Sequence, residues 1–149
     1  MNYDEKWMSL ALKQALKAKE EGEIPVGAIL VKDGLLIAQA YNQPIAKNDP
    51  TAHAEIQLLR LAGAKLKNYR LTGTSLYVTL EPCMMCLGAI IHARVERIIF
   101  GAHDSKIGVC ESSKNLIDVS CSNHKIELTG GILENKSSEI LKNFFISRR

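Results

Sequence analysis

Hydrophobic positions recur along this chain with two different periods. Between residues 4 and 21, Trp7, Ala11, Ala15 and Ala18 fall on one helical row, with Met8, Leu12 and Leu16 beside it. That pattern predicts an amphipathic helix, which Gly22 ends. Two apolar runs, VGAILV and LLIAQAY, then flank Lys32-Asp33-Gly34. Apolar runs on either side of a turn glycine predict a β-hairpin. Asp49-Pro50-Thr51 offers a turn and an N-cap for a helix from about Ala52 to Ala64. SLYVTL reads as a strand, and Pro82 suits the first turn of a third helix running from about Cys83 to Ala93. RIIFGA is another strand. Residues 102 to 124 look irregular, with a short helical piece expected at Asn115 to Val119. KIELTGG is a weak last strand, and a final helix is expected over Leu133 to Ser147.

Alternation of strand and helix after an initial hairpin predicts an α/β domain with a mixed central sheet and helices on both faces. The third helix is apolar almost all round: Met84, Met85, Leu87, Ala89, Ile90 and Ile91 leave little polar face. Such a helix must be covered on two sides. A sheet covers only one side, so a second subunit, or another helix of the same chain, is expected on the other.

Length and composition fit one compact domain over residues 1–149, with 46% hydrophobic residues and no repeats or low-complexity stretches. The N-terminal stretch MNYDEKWMSL carries acidic residues and no apolar signal-peptide core. The longest apolar run, Cys83 to Ile91, is too short to span a bilayer. A cytoplasmic protein without membrane contact is therefore expected. In that setting four cysteines read as thiols or metal ligands, not as a disulfide framework. From Lys136 onward the cations Lys136, Lys142, Arg148 and Arg149 face Glu139 alone, so this tail holds the whole net charge of +3. A basic tail either aids solubility or meets an anionic partner.

The chemistry centres on TAHAEI and EPCMMC. By itself Cys83-x-x-Cys86 fits a redox pair, half a metal site or two core thiols. A redox pair belongs at the first strand-to-helix junction of its fold, whereas here a hairpin and a helix come first. His53 and Glu55 form H-x-E at the start of one predicted helix, and Pro82-Cys83-x-x-Cys86 starts another. Two helix N-termini favour thiolates and can set one imidazole and two sulfurs around a Zn²⁺ ion. Three N/S ligands with an open fourth position are the pattern of catalytic zinc, while structural zinc is closed by a fourth protein ligand. Cys110 and Cys121 could close such a site, but they lie at no ligand-like spacing. Zinc brings the pKa of a bound water from about 15.7 toward about 7, and a carboxylate beside it can carry protons to a substrate nitrogen. Glu55 suits that task. Residues two apart on a regular helix diverge by about 200°, so His53 and Glu55 are expected in an irregular first turn or in different rotamers.

H-x-E followed by P-C-x-x-C is also a signature of zinc deaminases that act on nucleobases. Beyond that signature the chain closely resembles the bacterial tRNA-specific adenosine deaminases. The resemblance runs through EIPVGAILV, NDPTAHAEI, NYRL, LYVTLEPCMMCLGAIIHARV, RIIFGAHDSKIG and NFFISRR, nearly the whole length. It implies a three-layer α/β/α cytidine-deaminase-like fold with about five strands. It also implies a homodimer and conversion of adenosine to inosine at the wobble position of a tRNA anticodon loop. It makes His53, Cys83 and Cys86 zinc ligands and Glu55 the proton shuttle. Asn42 would hydrogen-bond the flipped base, the Ala54 N–H would bond the purine edge, and Ile24 and Val26 would wall the pocket. Asp104 and Lys106 would contact the RNA around it. After Gly108 the stretch VCESSKNLIDVSCSN departs from the family pattern.

Given an RNA substrate, the tail acquires a role. Ser138, Lys142, Phe145 and Arg149 fall on one stripe of the last helix. Ile140, Leu141 and Phe144 make its apolar face. Phe144 is expected inside, with Phe145 stacking on splayed loop bases and Arg148 and Arg149 meeting phosphates. Two other readings remain. A free nucleobase or nucleoside deaminase would share the zinc site, and the basic tail argues mildly against it. A catalytically silent zinc-stabilised RNA-binding module would have no use for Glu55.

Overall fold

The computed structural model describes residues 2–113, 115–116 and 125–148. Its first helix, α1, spans Tyr3–Glu20 and opens with a capping box in which Asn2 accepts the Glu5 N–H. Gly22, at φ +81°, follows its C-cap. Strands β1 (Gly27–Lys32) and β2 (Leu35–Tyr41) pair antiparallel around Asp33 and Gly34, both at positive φ as a two-residue hairpin turn of this twist requires. A short helix α2 (Pro44–Lys47), absent from the sequence reading, leads to α3 (Ala54–Leu66). Then follow β3 (Thr74–Leu80), α4 (Met84–His92), β4 (Arg97–Ala102), β5 (Glu127–Thr129) and the final helix α5 (Glu134–Ser147). The helical piece expected at 115–119 falls mostly outside the described residues.

The five strands form one sheet in the order β2-β1-β3-β4-β5. β1 is antiparallel to both its neighbours, while β3, β4 and β5 run parallel, with α4 carrying the crossover from β3 to β4. Side chains alternate across the sheet. Ile29, Val31, Tyr77 and Ile99 pack on Trp7, Met8 and Ala11 of α1. Ala28, Leu30, Leu76, Val78, Ile98 and Phe100 pack on Ala54 and Leu58 of α3 and on Leu87 and Ile90 of α4. The expected three-layer mixed sheet is therefore present. Gly27 permits its closest approach: a Cβ there would stand 2.1 Å from the Ala11 carbonyl oxygen.

Two boundary expectations are corrected. His53, not Thr51, is the N-cap of α3, because the Asp49 carboxylate takes the Thr51 hydroxyl and N–H for its own turn. Cys83 is the N-cap of α4, which leaves Pro82 ahead of the helix instead of in its first turn. Leu16, placed by period beside the apolar row, is 43% exposed, because the sheet covers a narrower arc of α1 than the pattern suggested. In α5, Phe144 is buried and Phe145 half exposed, while Ile140 and Leu141 are only partly covered. α4 buries Cys86, Leu87 and Ile90 and leaves Met84 and Met85 partly or largely bare. No helix among the described residues is long and apolar enough to cross a membrane.

A candidate metal centre at two facing helix starts

The parallel strand β3 delivers Cys83 to the start of α4, and the loop after β2 delivers His53 to the start of α3. Both are caps, so both side chains project from non-helical backbone into the space between two helix N-termini. His53 has extended dihedrals (φ −66°, ψ 156°), whereas Glu55 is already the second residue of α3. That break in helical geometry removes the 200° divergence that a regular helix would impose at about 3.6 residues per turn.

The three predicted ligands converge. His53 Nδ1 lies 3.7 Å from Cys83 Sγ and 3.5 Å from Cys86 Sγ. Zn–N bonds of about 2.0–2.1 Å and Zn–S bonds of about 2.3 Å, at tetrahedral angles, demand N···S edges of about 3.6 Å. The donors thus already stand at the edge lengths of a zinc tetrahedron. Among the described residues this is the cluster of His, Cys and acidic groups close enough to hold a metal ion. The two sulfurs share a proton unequally: the bond from the Cys86 thiol holds Cys83 well below the usual thiol range, and the same bond with burial pushes Cys86 up. Two thiols and an imidazole at this spacing are a soft donor set that suits zinc.

Glu55 stands outside the ligand set but in the same cavity, 4% exposed. Burial pushes its carboxyl up to about 7. The cavity, about 190 Å³, is lined by Ile24, Val26, Asn42, His53, Glu55, Leu80, Glu81, Cys83, Asp104 and Ile107. Six positions proposed from sequence therefore meet here with Cys83: Ile24, Val26, Asn42, His53, Glu55 and Asp104. Val26 is buried and Ile24 is 45% exposed, at the rim.

Other predicted positions lie differently. The Ala54 N–H donates to Asn42 Oδ1 at 2.8 Å, so these two groups bond each other in this state. Lys106 is exposed and does not line the cavity; its N–H donates to Asp104 Oδ1 at 3.1 Å. Arg148 stacks over the Phe144 ring at 4.8 Å and donates to the Gly22 carbonyl at 2.9 Å, beside the Ile24 rim. Phe145 is bare on the same helix, and Arg149 lies outside the described residues. Cys110 is buried, and Cys121 is outside the described residues.

Three lining residues were missed. Leu80 and Glu81 immediately precede Pro82-Cys83 and follow from placing a strand end beside a ligand. Ile107 had a weaker signal, an aliphatic residue in a polar loop, and it is 58% exposed. A further buried acid, Glu23, accepts the N–H groups of Ile45 and Ala46 and so pins α2 beside the pocket rim.

Comparison with known proteins adds the following. A family model described as MafB19-like deaminase matches residues 2–149. A tRNA-specific adenosine deaminase of Haemophilus influenzae is 49% identical over 99% of this chain and 86% of its own length. A solved structure from a study of A-to-I editing by tRNA deaminases at the wobble position is 45% identical, with TM-score 0.88 over 91% of this chain and 99% of its own. A guanine deaminase from Nitrosomonas europaea is 25% identical, with TM-score 0.85 over 97% of this chain and 85% of its own.

Proposed function

We propose, for a chain that belongs to the family of tRNA-specific adenosine deaminases, the zinc-dependent hydrolysis of adenosine to inosine at the wobble position of a tRNA anticodon loop. The observation that carries the reading is the His53, Cys83 and Cys86 cluster at zinc-tetrahedral edge lengths, with a buried non-ligand carboxylate, Glu55, in the same cavity.

Zinc held there would supply an acidified water at neutral pH. The chain's own residues do the rest. Glu55 would take one proton from the attacking water and give it to the ring nitrogen, then carry the second water proton to the leaving amine, and its burial keeps bulk water from competing for these protons. Ile24 and Val26 give the base an apolar seat. Asn42, nine-tenths buried, has its carbonyl oxygen committed to Ala54 N–H. Its NH₂ group is the part that would hydrogen-bond a ring acceptor. Asp104, at the cavity wall, and Lys106, Phe145, Arg148 and Arg149 would engage the RNA around the pocket. A loop base can be splayed into so small a cavity at lower cost than a duplex base.

A free-base deaminase remains the second reading, because guanine deaminases share this fold. Incubating tRNA, free adenosine, guanine and cytidine with purified protein, then measuring nucleosides and bases by mass spectrometry, decides between them. Inosine in tRNA from wild type, and a loss of about 10²–10⁴-fold in Glu55→Ala with zinc retained, is the expected result. Turnover of guanine without tRNA inosine would replace this reading, and near-normal turnover by Glu55→Ala would remove Glu55 from the mechanism. We further infer a cytoplasmic homodimer whose second subunit covers the exposed side of α4.

A further inference from the structure

Glu81 is 2% exposed, at the end of β3 and two residues before a zinc-ligand position. It makes no ion pair among the described residues. Instead it collects donors from one loop. Its Oε1 accepts the Asp104 N–H at 3.0 Å and the Ser112 hydroxyl. Its Oε2 accepts the N–H groups of Cys110 at 3.1 Å, Glu111 at 2.7 Å and Ser112 at 2.9 Å. Burial pushes this carboxyl up, but the Ser112 hydroxyl and the N–H groups outweigh burial and hold it below the usual carboxylate range. With five donors its acceptor sites are filled, so it is not a free base for chemistry. The loop closes over it without room to spare: a Cβ on Gly108 would stand 2.5 Å from Glu81 Cδ and 2.6 Å from the Asp104 carbonyl. This loop brings Asp104 and Ile107 to the cavity wall.

We propose that Glu81 is a positioning residue for substrate binding: its carboxylate is the internal anchor around which residues 104–112 fold, and it holds Asp104 and Ile107 where the RNA strand enters the base pocket. This rests on the tRNA reading above. The consequence is a division of labour. The loop touches the start of α4 through the Val109 N–H, which donates to the Pro82 carbonyl at 3.1 Å. The ligand side chains and Glu55 stand on the starts of α3 and α4, so losing the anchor loosens substrate binding and leaves the chemical step largely intact.

Glu81→Gln tests this, because it keeps the shape and replaces one acceptor oxygen by an NH₂ that must face N–H donors. The expected result is a rise of about tenfold or more in KM for an anticodon stem-loop, with kcat within about threefold of wild type. Zinc content should be unchanged, and amide exchange at Asp104, Cys110, Glu111 and Ser112 should be about tenfold faster or more. Gly108→Ala strikes the same anchor from the loop side and should reproduce the rise in KM, with the double variant little worse than either single one. Unchanged exchange and KM in Glu81→Gln would overturn the proposal. So would an equal fall in kcat and kcat/KM with loss of zinc, which would make Glu81 a support of the metal cluster. If wild type deaminates no tRNA, the functional reading fails by itself, and the exchange measurement still decides whether Glu81 holds the loop.

Discussion

The two adjacent phenylalanines of α5 should respond to truncation in opposite ways. Phe144 is 6% exposed, packed under the Arg148 guanidinium, and Phe145 is 50% exposed. Phe→Ala in a packed core costs about 3–5 kcal/mol. Full burial of such a side chain is worth about 1.5–3 kcal/mol, so the half-covered Phe145 contributes about 1 kcal/mol. At this chain length each kcal/mol moves Tm by about 2–4 °C. Phe144→Ala is therefore expected to lower Tm by about 10 °C, and Phe145→Ala by about 3 °C. Activity should order the other way. A base stacked on an exposed aromatic is worth about 1–3 kcal/mol, or about 5- to 150-fold in kcat/KM for the RNA. The assay pairs thermal melts with inosine formation in an anticodon stem-loop, measured at a temperature where both variants are folded. If Phe145→Ala melts as early as Phe144→Ala and the folded enzyme keeps wild-type kcat/KM, Phe145 is a packing residue and the RNA-facing assignment of α5 is wrong.

Metal analysis should find about one zinc per chain, falling close to zero in Cys86→Ala, since two donors cannot hold the site; undiminished zinc in that variant would end the proposed ligand set. Light scattering should show a dimer that Met85→Glu weakens, because a charge replaces a partly bare apolar side chain on α4; a wild-type monomer at micromolar concentration would count against the second subunit. His103 sets Nδ1 against Glu134 at 2.7 Å and Nε2 against Glu111 at 3.1 Å, and chiefly the Glu134 bond raises its pKa. With the folded value raised above about 6.5, the stabilisation is complete below that pH and is lost as pH climbs through the folded value. The Tm advantage of wild type over Glu134→Gln should thus shrink as pH rises above about 6.5, and a gap that stays constant would show that His103 is not the titrating partner.

The identity of the chemistry was legible because its carriers are neighbours in the chain. H-x-E and C-x-x-C each lie within four residues, and what they need locally, a helix start, is itself written in short-range signals. The hairpin was equally local, since Asp33 and Gly34 set its turn by their own φ preferences. The inward and outward phenylalanines followed from helical period alone. Where coverage mattered, period failed: Leu16 is exposed because the width of the sheet, not the sequence of α1, decides how much of the helix is buried.

Other features depended on which hydrogen-bond partner a polar group finds, near or far along the chain. Thr51 looked like the better cap until the neighbouring Asp49 claimed its hydroxyl, leaving His53 to cap α3 with its ring turned to the sulfurs. The Ala54 N–H found Asn42 twelve residues away, and Arg148 found the Gly22 carbonyl across 126 residues. Glu81 was in plain view beside Pro82, yet its donors come from residues 104–112, which only the parallel pairing of β3 with β4 brings to it. Periodicity and cap chemistry are properties of a few consecutive residues, so sequence determined which atoms could bind a metal and move a proton. The partners of a buried polar group are set by which strand lies beside which, so only the tertiary structure decided how those atoms are spaced and what holds the pocket around them.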